Sequence, residues 1–119
     1  MSNSSRAQDK NDEPKFSMQT YYFVFLNDGP NHPADTTQTK ALQEGHMNNM
    51  MTMFKTGKLK LSGPFMKKGT LKGIFILDVA SETEARDLLS DDPEIAYGSL
   101  TADILAWYGP KGLTVIPDK

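Results

Sequence analysis

Glu44-Gly45-His46-Met47-Asn48-Asn49-Met50-Met51-Thr52-Met53-Phe54-Lys55-Thr56-Gly57-Lys58-Leu59-Lys60-Leu61-Ser62-Gly63-Pro64-Phe65 passes from a helical to an extended periodicity within one stretch. Leu42, His46, Asn49, Met50 and Met53 share one side of a helical wheel, while Met47 and Met51 lie off it. Gly57 ends the run as a left-handed cap, since glycine adopts positive φ without a Cβ clash. Lys58-Leu59-Lys60-Leu61-Ser62 then alternates with period two, as a half-buried strand does, and Gly63-Pro64 is read as its break. The stretch places one of the chain's two histidines on the helix face that looks toward a sheet.

Outward from there, the upstream limit of the helix is Asp35-Thr36-Thr37-Gln38. Here an N-cap aspartate is followed three residues later by glutamine, a capping-box spacing. Before it, Asn27-Asp28-Gly29-Pro30-Asn31-His32-Pro33 is a cluster of breakers and reads as a loop. Phe16 to Leu26 reads as the first strand, its Tyr21-Tyr22-Phe23-Val24-Phe25-Leu26 apolar on both faces. Downstream, Leu71 to Val79 is a second strand of that kind, so it is expected at the centre of a sheet. Ser81-Glu82-Thr83-Glu84 is a capping box directly after it, opening a helix that buries Ala85, Leu88 and Leu89. Asp92-Pro93 begins a further short turn or helix, Leu100 to Trp107 is the last strand, and Gly109-Pro110 begins a tail.

The resulting order, β-α-β-β-α-β, is the ferredoxin-like arrangement of the α+β class. Two helices cover one sheet face. The apolar residues on the other face have no cover within the chain, so a homodimer joined sheet to sheet is expected.

A length of 119 residues suits one domain. Residues 1–15 are almost wholly polar and read as a disordered tail, leaving residues 16–119 as the domain. A net charge of −2 gives no electrostatic case for nucleic acid or an anionic membrane. The absence of cysteine excludes disulfides, thiolate metal sites and cysteine nucleophiles. No apolar run approaches the roughly 20 residues of a spanning helix, and no secretory signal is evident, so a cytoplasmic protein is expected.

His46 admits two readings from the residues alone: a hydrogen-bonded core histidine, or a proton-transfer group titrating near neutrality. Asp92 likewise reads either as the N-cap of the turn at Pro93 or as a carboxylate that orients the histidine, with Asp91 the alternative partner. No Ser is convincingly placed as a nucleophile. Gly63-Pro64-Phe65 reads as a strand end that lets a backbone pass closely. Lys67 and Lys68 are either solvated turn residues or attractors of an anionic substrate. His32 and His46 with Asp28 or Asp35 lack the spacing of a metal motif, so no metal is expected.

His46, Gly57, Ser62-Gly63-Pro64-Phe65 and Asp91-Asp92-Pro93, taken in order across residues 20–108, resemble the YCII-related (YciI-like) family. The resemblance implies a dimeric α+β barrel of ferredoxin-like subunits. It also implies a His–Asp pair in a pocket, matching His46 and Asp92, with Gly63, Pro64 and Phe65 at the pocket mouth and Phe65 an apolar wall for a small ring or acid. Characterised members of the family include lyases that eliminate chloride from ring substrates. The polar N-terminal extension and the longer loop from Gly29 to Asp35 depart from the pattern.

Two functions follow as expectations. One is a small acid–base enzyme of lyase or isomerase type, working without a cofactor on a small organic substrate. The other is a non-catalytic, small-ligand-binding or regulatory dimer. The first requires His46 and Asp92 within about 3.2 Å, or bridged by one water, facing an open cavity. A closed, dry packing around His46 favours the second.

Overall fold

The computed structural model describes residues 14–118. Its elements run β1 (Met18–Asp28), α1 (Thr36–Lys55), β2 (Leu59–Pro64), β3 (Leu71–Leu77), α2 (Glu82–Ser90), α3 (Pro93–Tyr97) and β4 (Leu100–Pro110). The strands form one four-stranded antiparallel sheet in the order β2-β3-β1-β4, and the class is α+β. The expected polar tail lies almost wholly outside the described residues; Pro14 and Lys15, which are described, are exposed and irregular.

Local chemistry sets the helix ends. Asp35 caps α1 by accepting from the Gln38 amide at 2.8 Å, while the Gln38 side chain accepts from the Ala34 amide at 2.9 Å. Gly57 follows the helix at φ +79°, and the Lys58 amide turns back to the Met53 carbonyl at 2.9 Å. Ser81 caps α2 through the Glu84 amide at 3.1 Å. Each such cap contributes on the order of 1 kcal/mol.

Strand ends depart from the sequence reading because pairing overrides local breakers. β1 runs through Asn27 and Asp28, which pair with Thr101 and Leu100. β2 includes Gly63 and Pro64 instead of ending before them. It is an edge strand, where a residue without an N–H is tolerated. β3 stops at Leu77, two residues before the expected end. β4 continues to Pro110, since Gly109 and Pro110 pair with Gln19 and Met18. A Cβ at Gly109 would lie 2.3 Å from the Trp107 ring, so the indole folds back over a position that only glycine leaves open. Beyond it, Ile116 is 86% exposed.

The helices pack on one face of the sheet. Val24 and Leu26 of β1, Phe75 and Leu77 of β3, Leu59 of β2 and Ile104 of β4 form the core with Met53, Ala85 and Leu89 from the helices. As the wheel requires, Met53 is buried whereas Met47 and Met51 are half exposed. The opposite face carries Phe23 stacked on Phe25 with centroids 4.9 Å apart, and Trp107 edge-on to Phe23 at 5.9 Å. Leu105 on that face is 57% exposed. Among the described residues, no helix is long and apolar enough to cross a membrane.

Candidate active site

α1 delivers His46 from its middle, and the two-residue link between α2 and α3 delivers Asp92. The link is short because Asp91 closes α2 and Asp92 already opens α3. Asp92 accepts from the Glu94 amide at 2.9 Å through Oδ1, and Pro93 takes the first helical position, where a missing N–H costs nothing. The second oxygen, Oδ2, lies 2.5 Å from His46 Nδ1. Both readings of Asp92 therefore hold together: it is a cap and a histidine partner. Asp91 does not take the second role.

Asp92 is fully buried, and no buried side-chain polar atom among the described residues lacks a hydrogen-bond partner. With a carboxylate as acceptor, Nδ1 carries the proton and donates, which leaves Nε2 as the nitrogen available for chemistry. The hydrogen bond that His46 donates to Asp92 raises the His46 pKa above its ordinary value. Burial opposes the rise, and the negative charges of Asp92 and then Glu94 add to it. The imidazole also stacks on Phe75 of β3, with ring centroids 6.0 Å apart and planes 21° from parallel.

Close approach of α1 to α3 depends on Gly45. A Cβ there would stand 2.4 Å from Pro93 Cγ, inside any normal contact. Gly45 precedes His46 and Pro93 follows Asp92, so the contact that only glycine permits lies beside the His–Asp pair. A helix-interior glycine ordinarily costs about 1 kcal/mol relative to alanine, and here the close contact accounts for it.

His46, with Asp92 buried behind it, faces a cavity of about 670 Å³ at the end of the sheet where β1 finishes and β3 and β4 begin. Leu26, Phe75 and Leu100 line it from the sheet, and His46, Met47 and Met50 from α1. Ser62, Gly63 and Pro64 of β2 form another wall. Phe65, expected as an apolar wall, is not part of the lining and is 46% exposed; the lining from this strand ends at Pro64. Lys67 and Lys68 are exposed and also outside the lining.

His32 does line the cavity, from a loop tied to the α3–β4 turn: its carbonyl accepts from Tyr97 Oη at 3.3 Å, and the Asn31 amide donates to the Gly98 carbonyl at 3.0 Å. Among the described residues, no three His, Cys, Asp or Glu side chains are grouped to hold a metal ion. Glu94, Ser99, Phe75 and Gly45 escaped the sequence reading. Glu94 had a local signal, standing two residues after an N-cap; the others are set by tertiary contacts alone.

The comparisons with known proteins accord with this geometry. The fold resembles a solved structure of 5-chloro-2-hydroxyhydroquinone dehydrochlorinase from Burkholderia phenoliruptrix, in complex with 2,5-dihydroxybenzoquinone. The TM-score is 0.56 at 15% identity, covering 73% of this chain and 92% of that one. No curated protein matches the chain. The model of the YCII-related domain matches residues 20–107, most of the sequence. The chain belongs to the YCII-related family.

Proposed function

We propose that this protein is a small acid–base enzyme of the lyase or isomerase type, acting without a cofactor on a small organic substrate. The observation that carries the reading is the His46–Asp92 pair, closed at 2.5 Å and facing a cavity large enough for a ring-sized molecule. His46 Nε2 takes a proton from a carbon next to a carbonyl or ring, and the freed electron pair forms a double bond. In an elimination that bond expels a leaving group from the neighbouring carbon. In an isomerisation the imidazolium returns the proton to a different carbon. Asp92 holds the tautomer and stabilises the imidazolium between the two transfers. Gly63 and Pro64 form part of the substrate wall. A dehydrochlorinase among the structural neighbours is in keeping with chemistry of this class.

The test is a panel of small carbonyl and halogenated ring compounds in D₂O, followed by NMR for deuterium wash-in and by halide release. A positioned general base contributes about 10²–10⁴-fold, so His46→Gln is expected to lose at least 100-fold in rate. Binding without exchange or release in the wild type would place the chain with non-catalytic ligand-binding dimers instead.

The subunit arrangement belongs to the same reading. A second copy covers the apolar sheet face bearing Phe23, Phe25, Leu105 and Trp107, giving a dimeric ferredoxin-like α+β barrel. Sedimentation equilibrium at micromolar concentration is expected to give twice the 13.2 kDa chain mass. Leu105→Asp, which puts a charge into that face, is expected to give the monomer. A wild-type monomer under these conditions would overturn the sheet-to-sheet arrangement.

A further inference from the structure

We propose that Glu94 is a specificity-determining residue of this cavity. Its carboxylate receives a hydrogen-bond donor of the ligand, so the site takes a ring-sized molecule bearing a hydroxyl or amine and disfavours one bearing a carboxylate. This rests on the cavity being the ligand site of the preceding reading, and adds which ligand it admits.

The geometry around Glu94 is that of a held acceptor. An acidic residue in the first turn of a helix is ordinarily a solvated partner of the helix N-terminus. Glu94 instead keeps only 19% of its side chain exposed and lines the cavity beside the imidazole. Ser99 Oγ, itself buried, lies 3.2 Å from Glu94 Oε1 and 3.2 Å from the Glu94 carbonyl, so its one proton is shared between these two acceptors and Oε1 rests against Ser99. Oε2 stands 4.0 Å from His46 Nδ1, too far for a hydrogen bond, and that nitrogen is already committed to Asp92. A largely desolvated carboxylate oxygen beside the reacting imidazole is suited to accept from a ligand O–H or N–H.

The remaining charges of the lining lack a forked site for a carboxylate. Asp28 adds a second carboxylate to the cavity, and buried Asp92 adds a third negative charge behind it. Planar, forked recognition of a ligand carboxylate is the work of arginine. The chain has two arginines. Arg86 is paired with Glu82 at 3.0 Å on the surface of α2, and Arg6 is outside the described residues. Lys72, which does line the cavity, is an exposed point charge without that fork. Asp28 and Lys72 are both exposed and offset one another, so the repulsion felt by an anionic ring comes from the half-buried Glu94 carboxylate and does not fall on a neutral donor.

The experiment titrates the full chain with two probes of similar size, hydroquinone and benzoate, following the His46 ring resonances by NMR. Wild type is expected to bind hydroquinone at least tenfold more tightly than benzoate. Glu94→Gln keeps the length of the side chain and an acceptor for Ser99. It is expected to narrow that ratio at least tenfold, mostly by gaining benzoate affinity. An unchanged ratio, tighter benzoate binding in the wild type, or no shift with either probe would each overturn the proposal. The readout is binding, so it separates from turnover. An unchanged ratio in a protein that turns over its substrate removes Glu94 alone, and a narrowed ratio in a protein without turnover removes the enzyme reading alone.

Discussion

Asp92→Asn is expected to lower the pKa of His46 while leaving the fold in place, and Asp92→Ala to cost roughly 3 kcal/mol of stability. The two substitutions divide the work of one buried side chain. Asparagine caps a helix about as well as aspartate, so the bond to the Glu94 amide survives in the first variant. What it lacks is the negative charge that favours imidazolium. Alanine loses both: a cap worth about 1 kcal/mol and a charge-assisted hydrogen bond worth about 1.5–3 kcal/mol.

The pH dependence has a definite sign. The folded pKa of His46 is raised above its ordinary value near 6.5, chiefly by the hydrogen bond to Asp92. The pair's contribution to stability is therefore fully present below about pH 6.5 and is lost as pH rises through the folded pKa. Asp92→Asn is expected to flatten that dependence. The measurement is NMR titration of His46 with His32→Gln in both backgrounds, so that one imidazole reports, alongside denaturation at several pH values. Turnover in Asp92→Asn is expected to fall by orders of magnitude, because an amide can hold the wrong tautomer. Coincident titration curves would leave Asp92 as a helix cap and nothing more.

Phe75→Ala is expected to be the most damaging single change in the core. Phe75 is 1% exposed, pairs with Val24 in the centre of the sheet, and supports both the helix layer and the His46 ring. Removing it costs about 3–5 kcal/mol through lost transfer energy and the void left behind. Domains of this size hold about 5–15 kcal/mol in all, so the variant sits near the edge of folding, with a melting temperature at least about 10 °C lower. Phe75→Leu fills most of the space at a cost on the order of 1 kcal/mol, but lacks the flat surface under the imidazole. It is expected to stay folded and to weaken ring ligands in the cavity. Calorimetric melts of the three proteins check the ranking. A Phe75→Ala melt within a few degrees of wild type would contradict the core described above.

The contrast between what was legible and what was not follows the range of the interactions. Asp35, Ser81 and Gly57 act within four residues of themselves, so their caps could be read directly. The ends of β1, β2 and β4 could not, because Asn27, Pro64 and Gly109 take their places from partners in other strands. Apolar residues on both faces pointed to β3 as central and to cover on both sides of β1, yet they could not say where the pairing stops. At the site, the Asp-Pro dipeptide announced a cap, and the family resemblance linked it to a histidine 46 residues away. Nothing local announced that Gly45 must be bare for Pro93 to approach, or that Glu94 would turn inward to Ser99. Those facts exist only once α1 and α3 are packed.

That packing concentrates the site in a very short piece of chain. Asp92, Pro93 and Glu94 are consecutive, and they supply respectively the imidazole's partner, the surface against which α1 rests, and the acceptor on the cavity wall. None of the three belongs to the sheet. The helix they begin has five residues and is closed by Gly98 at φ +96°. The site can therefore be retuned without disturbing the four strands. On the function proposed above, exchanging residue 94 is expected to alter which ligand is admitted, while Asp92 keeps its bond to His46 and Pro93 keeps the spacing. For an engineer, the tripeptide is an exchangeable cartridge on a fixed frame, and a library confined to residue 94 and its neighbour Ser99 is the smallest one that should shift ligand preference.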